Sequence, residues 1–295
     1  YAHVDGMFAG WAPLFGSYSV ALFAAFTSAT LAFFALNSRQ DAPKEYSFPL
    51  GIAALFAVIG IVLGGIQWHT PHGEAFFVRL AQANIDQNMK FDPTRLHDGV
   101  DLYKKLAALE AKSPETAHDL IILPETIIPL FQHQWQTEFW QEWIDIATQQ
   151  QATLLLGAPL YSQHGENGVY TNSAITIDSN SSATAIQQLQ LAQRYDKHHL
   201  VPFGEFIPPG FHWFLDLLNI PLGEFNRGET RQANFALNSQ FIGPDICYED
   251  VFGEEIIQSV RNHQEHGAGA TLLVNISNLA WFGDRRCCMI STAMC

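Results

Sequence analysis

Two uncharged apolar stretches constrain the fold of this chain more than any other feature. "FGSYSVALFAAFTSATLAFFAL" runs from Phe15 to Leu36, and "LGIAALFAVIGIVLGGIQW" runs from Leu50 to Trp68. Each has about the 20 residues that cross a hydrocarbon core at 1.5 Å per residue. The second ends in Trp68, a side chain suited to the membrane–water boundary. The same pattern also describes two buried helices of a globular core. A secretory signal fits less well, because no basic segment precedes the first stretch and there are two of them. The connecting segment "NSRQDAPKEYSFP" holds Arg39 and Lys44, whereas Tyr1–Pro13 holds no lysine or arginine. The positive-inside tendency places that connection in the cytoplasm and everything after Trp68 outside it. The chain starts at Tyr1 without an initiator methionine, and we expect earlier spans to precede it.

Beyond Trp68 the texture changes. "FFVRLAQANI" (Phe76–Ile85) reads as a strand. "PTRLHDGVDLYKKLAALEAK" reads as an amphipathic helix, with Leu96, Val100, Tyr103, Leu106 and Leu109 three or four residues apart. "LIILP" is a short buried strand, "TEFWQEWIDIATQQ" a helix, and "ATLLLGAP" a strand ending at Gly157. "YTNSAITID" and "ATAIQQLQLAQRYDK" read as paired strands about the turn "SNSS". "FIGPDICYE" is a strand, "VFGEEIIQSVRNHQEHG" a helix closed by Gly267, and "ATLLVNIS" a strand. Strands alternating with helices, interrupted by a hairpin, predict an α/β layered domain.

Composition removes several functions. Net charge is −14 with no basic run, so nucleic acid is not an expected partner. Of the four cysteines, Cys287, Cys288 and Cys295 crowd the last nine residues, which is no disulfide framework. Among 12 histidines, "HQEH" (His263, Glu265, His266) lacks the spacing that sets two imidazoles on one helical face, so no metal is expected.

Three strand ends carry reactive groups. Glu125 follows four apolar residues and a proline in "LIILPETIIP"; partial desolvation there suits a carboxylate to general-base work. A solvated loop acid is the alternative. Lys197 in "RYDKHHLVPFGEFIP" precedes an apolar loop that can hold it facing inward, where an ammonium stabilises an oxyanion or a thiolate; it also reads as an ordinary surface lysine. Glu205, eight residues on, is a possible second acid or a loop residue. Cys247 ends a strand before what reads as a helix N-terminus. The helix dipole and a nearby cation would favour its thiolate, and a small buried core residue is the alternative. No histidine is spaced to serve it, so its base would be a carboxylate.

Taken together, Glu125, Lys197 and Cys247, in that order and 72 and 50 residues apart, resemble the catalytic set of the nitrilase (carbon–nitrogen hydrolase) superfamily. "ILPETIIP", "YDKHHLVPFGEFIP", "FNRGE", "ICYEDVFG" and "NISNLAWFGD" are similar, within it, to the apolipoprotein N-acyltransferases of the bacterial inner membrane. So is "VDGMFAGWAPLFGSYSV" leading into the first span. The resemblance covers about Val4 to Asp284. It implies two transmembrane helices (about 15–36 and 50–68) within a membrane region over 1–75, then a nitrilase-like α-β-β-α sandwich over 76–284.

The chain departs from that family at Leu279, where an aspartate is usual, and from Arg285, where "RRCCMISTAMC" matches nothing in it. We therefore expect an aberrant tail over 285–295, a C-terminally incomplete sandwich, and little or no activity in this polypeptide itself. The resemblance implies a thioester route: Cys247 takes an acyl chain from a phospholipid and passes it to the N-terminal amine of a diacylglyceryl-cysteine lipoprotein. Glu125 is the implied base and Lys197 the oxyanion partner. Glu205 orients them, and Tyr248, Glu249 and Trp281 shape the pocket. It implies no cofactor, and a multi-pass inner-membrane protein with its catalytic domain on the periplasmic side. A membrane-tethered nitrilase or amidase that hydrolyses a C–N bond with the same three residues, and a non-catalytic remnant, are the competing expectations.

Overall fold

The structure, a computed structural model, describes residues 5–37, 47–71, 73–85, 96–110, 119–164, 167–208, 225–262 and 267–278. It divides into two compact units, Tyr1–His72 and Gly73–Cys295.

In the first unit, helix α1 spans Ser17–Asn37. Its stretch Ser17–Leu36 is the one described helix long and apolar enough to cross a membrane, rising about 30 Å. Only 6% of that window is buried, so it is not a core helix. The second apolar stretch forms α2, Ser47–Gly64, which is shorter than expected. Gly64 and Gly65 end it before Trp68, whose indole Nε1 instead donates back to the Leu63 carbonyl at 3.2 Å. The unit is held by close backbone approach. A Cβ on Gly10 would lie 2.1 Å from the Gly60 carbonyl oxygen, and one on Gly60 would lie 2.3 Å from that of Met7. Beside this contact Trp11 donates to the Phe56 carbonyl (2.9 Å), and the Phe23 and Phe56 rings meet at 4.5 Å. Gly10 lies in the 3-10 turn Ala9–Trp11, and small residues let that turn approach α2 closely where burial from water supplies no drive.

The second unit contains two sheets. Strands β1 (Val78–Leu80), β2 (Leu120–Ile122), β3 (Thr153–His164), β4 (Asn167–Ile177) and β5 (Arg194–Asp196) form one in that order. The first three are parallel, and the β3–β4 and β4–β5 pairs are antiparallel. Strands β6 (Phe235–Leu237), β7 (Gln240–Ile246) and β8 (Leu272–Ile276) form the other, with β7 and β8 parallel. The period of two along β2 assigns its faces. Ile121 and Leu123 join Leu154, Leu156, Val100, Tyr103, Trp140 and Trp143 under α3 (Leu96–Ala107) and α4 (Thr137–Gln150). Leu120 and Ile122 join Leu155 and Ala174 against Phe235, Ile242, Ile246, Val274 and Ile276 of the second sheet.

Several expectations need correction. Residues 183–197 are not a paired strand. Ser182 Oγ caps a short helix, α5 (Ala183–Gln187), by accepting from the Ala185 N–H, and only Arg194–Asp196 joins the sheet. The strand expected to stop at Gly157 continues to His164, paired throughout with β4. The helix expected after Cys247 begins only at Gly253 and ends at Val260 (α6); Cys247–Val251 is a 3-10 turn. Leu279, Trp281, the segment 285–295, the histidines of "HQEH" and the charges Arg39 and Lys44 lie outside the described residues.

Candidate active site

Glu125 leaves the end of β2 through a sharp bend, with Thr126 in the left-handed region (φ 50°). That bend passes directly over β3 at Gly157, where a Cβ would lie 2.6 Å from the Glu125 Cα, so glycine is required there. Lys197 follows β5, its N–H donating to the Asn172 carbonyl (2.8 Å) and its carbonyl accepting from Gly228 (2.9 Å). Gly228 also has no room for a side chain, since a Cβ would lie 2.1 Å from the Asp196 carbonyl oxygen. Cys247 leaves the end of β7 with φ 56°, a left-handed conformation costly for a residue with a side chain.

These three ends converge. Lys197 is 1% exposed and Glu125 7%. The Lys197 ammonium lies 3.4 Å from Glu125 Oε1 and 2.9 Å from the Glu205 carboxylate. Glu205 is held by the Val201 N–H at 2.8 Å. Cys247 is near enough for the charges of Glu125 and Lys197 to act on its thiol, and the Asn278 N–H donates to Glu125 Oε2 at 3.0 Å.

The electrostatics reverse one expectation. Burial pushes the Cys247 thiol up, the Glu125 charge adds to it, and Lys197 only partly opposes them, leaving it at about 12. The resting sulfur is therefore a neutral thiol, and the chain after it is a 3-10 turn, with the helix starting only at Gly253. Burial works against the Lys197 charge, but Glu125 and Glu205 outweigh burial and raise Lys197, so it remains an ammonium.

Residues 77–287 match the family model described as carbon-nitrogen hydrolase. The chain belongs to the carbon-nitrogen hydrolase family. It is 43% identical over 286 residues to an apolipoprotein N-acyltransferase of Bordetella bronchiseptica, covering 96% of this chain and 52% of that protein. It is 30% identical over 294 residues to one of Haemophilus influenzae, again covering 96% and 52%. The chain spans about half the length of the curated relatives it matches. Among solved structures, an amidase from Nesterenkonia sp. is similar at a TM-score of 0.43 and 18% identity, over 70% of this chain and 66% of that one. A likeness of that size says nothing about substrate.

Around the three central groups, this carbon-nitrogen hydrolase places the other expected residues differently. Glu205 adjoins Lys197, as described. Glu249 is enclosed at 2% exposure and accepts four hydrogen bonds. They come from the N–H groups of His198 (2.7 Å), His199 (3.0 Å) and Ile246 (2.8 Å) and from the Tyr195 hydroxyl (2.9 Å). It ties the loop after Lys197 to the turn of Cys247. Tyr248 is 40% exposed, with its ring edge-on to those of His199 and Phe252.

Asn172 escaped the sequence reading. Asn172 Nδ2 donates to both Glu125 Oε1 and Glu205 Oε1, each at 2.7 Å, so it separates two carboxylates that share one lysine. Its signal was present in "YTNSAITID": Thr171, Asn172 and Ser173 are three consecutive polar residues, all buried, in the middle of a strand. Among the described residues, no group of three His, Cys, Asp or Glu side chains is placed to hold a metal ion.

Proposed function

We propose that this carbon-nitrogen hydrolase transfers an acyl chain from a phospholipid to the N-terminal amine of a diacylglyceryl-cysteine lipoprotein, through a thioester on Cys247. The observation that carries this reading is the buried meeting of Glu125, Lys197 and Cys247; the names of the similar proteins supply the substrate class. Ionising a thiol held near 12 in advance of attack, at pH 7, costs about 7 kcal/mol. Proton transfer to Glu125 therefore accompanies attack of the sulfur on the ester carbonyl. The oxyanion that forms is stabilised by the Lys197 ammonium and a backbone N–H near Cys247. Its collapse breaks the ester C–O bond, and the leaving glycerol oxygen takes the proton from Glu125 to give a lysophospholipid. In the second half the lipoprotein amine attacks the thioester carbonyl and gives a proton to Glu125. Collapse breaks the C–S bond, and Glu125 returns that proton to the sulfur.

Both apolar helices of the first unit cross the inner membrane in this reading, with the second unit on the periplasmic side. Anchoring at the bilayer raises the local concentration of two lipid-borne substrates. It also favours the amine over water as the second nucleophile. The test is to incubate the membrane-embedded chain with vesicles of acyl-labelled phosphatidylethanolamine and weigh the Cys247 peptide. An acyl mass on Cys247, lost in Cys247→Ser and discharged by a diacylated lipopeptide, is expected. Hydrolysis of simple amides with no acyl transfer would overturn the proposal.

A further inference from the structure

Three groups at the end of β8 reach into the site from one short stretch of chain. Asn275 sits opposite Asp245 in the parallel β7–β8 pairing. Its Nδ2 donates to the Cys247 carbonyl at 3.0 Å and also to Asp245 Oδ1. Its Oδ1 accepts from the Ser277 hydroxyl at 2.5 Å. These partners fix which way the amide faces, because the reverse orientation would set its oxygen against two other oxygens. Three residues on, the Asn278 N–H holds Glu125 Oε2 at 3.0 Å. One strand end thus grips the backbone of the thiol-bearing residue and the carboxylate beside that thiol.

Cys247 needs such a grip. Its φ of 56° is a conformation that an L side chain adopts only when its surroundings hold it there. The α6 helix begins too late to do so, and the turn from Cys247 is held by Glu249 through the Ile246 N–H, on the other side of the residue. The carbonyl of Cys247 itself is met by Asn275.

We propose that Asn275 is the positioning residue for Cys247, and that with Ser277 and Asn278 it makes the β8 terminus a strap holding sulfur and Glu125 in attack register. The assignment rests on Cys247 being the nucleophile, but its geometry does not depend on what acylates the sulfur. Asn275 touches no reacting atom; it acts through the Cys247 backbone.

The decisive measurement is the pH profile of Cys247 alkylation by iodoacetamide, followed on the Cys247 peptide by mass spectrometry in the full chain. In the wild type the buried, Glu125-coupled thiol titrates far above an ordinary cysteine. In Asn275→Ala and Asn275→Leu the released residue moves its midpoint down toward about 8.5, by at least about one unit, with the melting temperature within about 3 °C of wild type. Ser277→Ala, which removes only the hydroxyl steadying the amide, shifts it less in the same direction, and it decides the matter if the Asn275 variants do not fold. A profile unchanged in these variants overturns the proposal. Acyl-thioester formation from labelled phospholipid is read in parallel and is expected to fall at least about fivefold in Asn275→Ala. A wild-type chain that forms no thioester sinks the acyl-transfer reading, while the alkylation profile still decides the strap.

Discussion

The two units of this chain solve opposite packing problems. In Tyr1–His72, Leu22, Phe33, Val58 and Ile61 point outward, and the 3-10 turn Ala9–Trp11 meets α2 through Gly10 and Gly60 with almost no side chain between them. In Gly73–Cys295 the described residues bury two apolar clusters, and beside them sit an ammonium, carboxylates and a thiol. Outward apolar surface needs only close backbone contact to hold it. A buried charge needs every neighbouring donor and acceptor in place. The first unit should therefore tolerate polar loss and fail on added volume, while the second should fail on the loss of a single charge.

The sharpest way to break that contrast is Lys197→Met. Removing the ammonium leaves Glu125 and Glu205 facing each other through Asn172, at a cost of roughly 3–5 kcal/mol of stability, and acylation of Cys247 is lost. Chemical denaturation with a thioester assay checks both. Next comes Glu249→Gln, which sets an amide NH₂ against donors that now find a carboxylate oxygen. It should cost about 1–3 kcal/mol and loosen the loop carrying Lys197, read by hydrogen exchange at His198 and His199.

In the first unit, Gly60→Val puts its Cβ against the Met7 carbonyl. It should cost about 1–3 kcal/mol in detergent unfolding and leave the Cys247 alkylation profile unchanged. A change in that profile would join what the comparison separates.

A different, pH-dependent effect is expected at Asp245. Burial pushes this acid up to about 7 from an ordinary 3.8, with Glu249 and Asp250 adding to the shift and Asn275 opposing it. A raised value means stability that is full below 3.8 and declines as pH rises through about 7. Asp245→Asn should flatten the melting temperature across that interval, and an unaltered slope would place the pH dependence elsewhere.

Much of this was legible in order along the chain. The helix Thr137–Gln150 and the strand ends bearing Glu125, Lys197 and Cys247 announce themselves, because periodicity and strand termination are local signals. The strand wrongly expected over residues 183–197 failed for an equally local reason, since a serine cap and a glutamine-rich run outvoted the hairpin pattern. Asn172 and Asn275 were missed because an asparagine in a strand looks like any polar residue until its partners, 47 and 28 residues away, are seen.

The sequence by itself determined the division into an apolar helical segment and an alternating α/β segment, and it marked which three reactive groups end strands. Only the tertiary structure decided that Cys247 rests as a neutral thiol, that Glu249 ties loops together, and that Asn172 parts two acids. Apolar patterning acts between neighbours a few positions apart. Desolvation and Coulomb forces act through space, so a group's charge state depends on which distant strand ends the sheets bring to it.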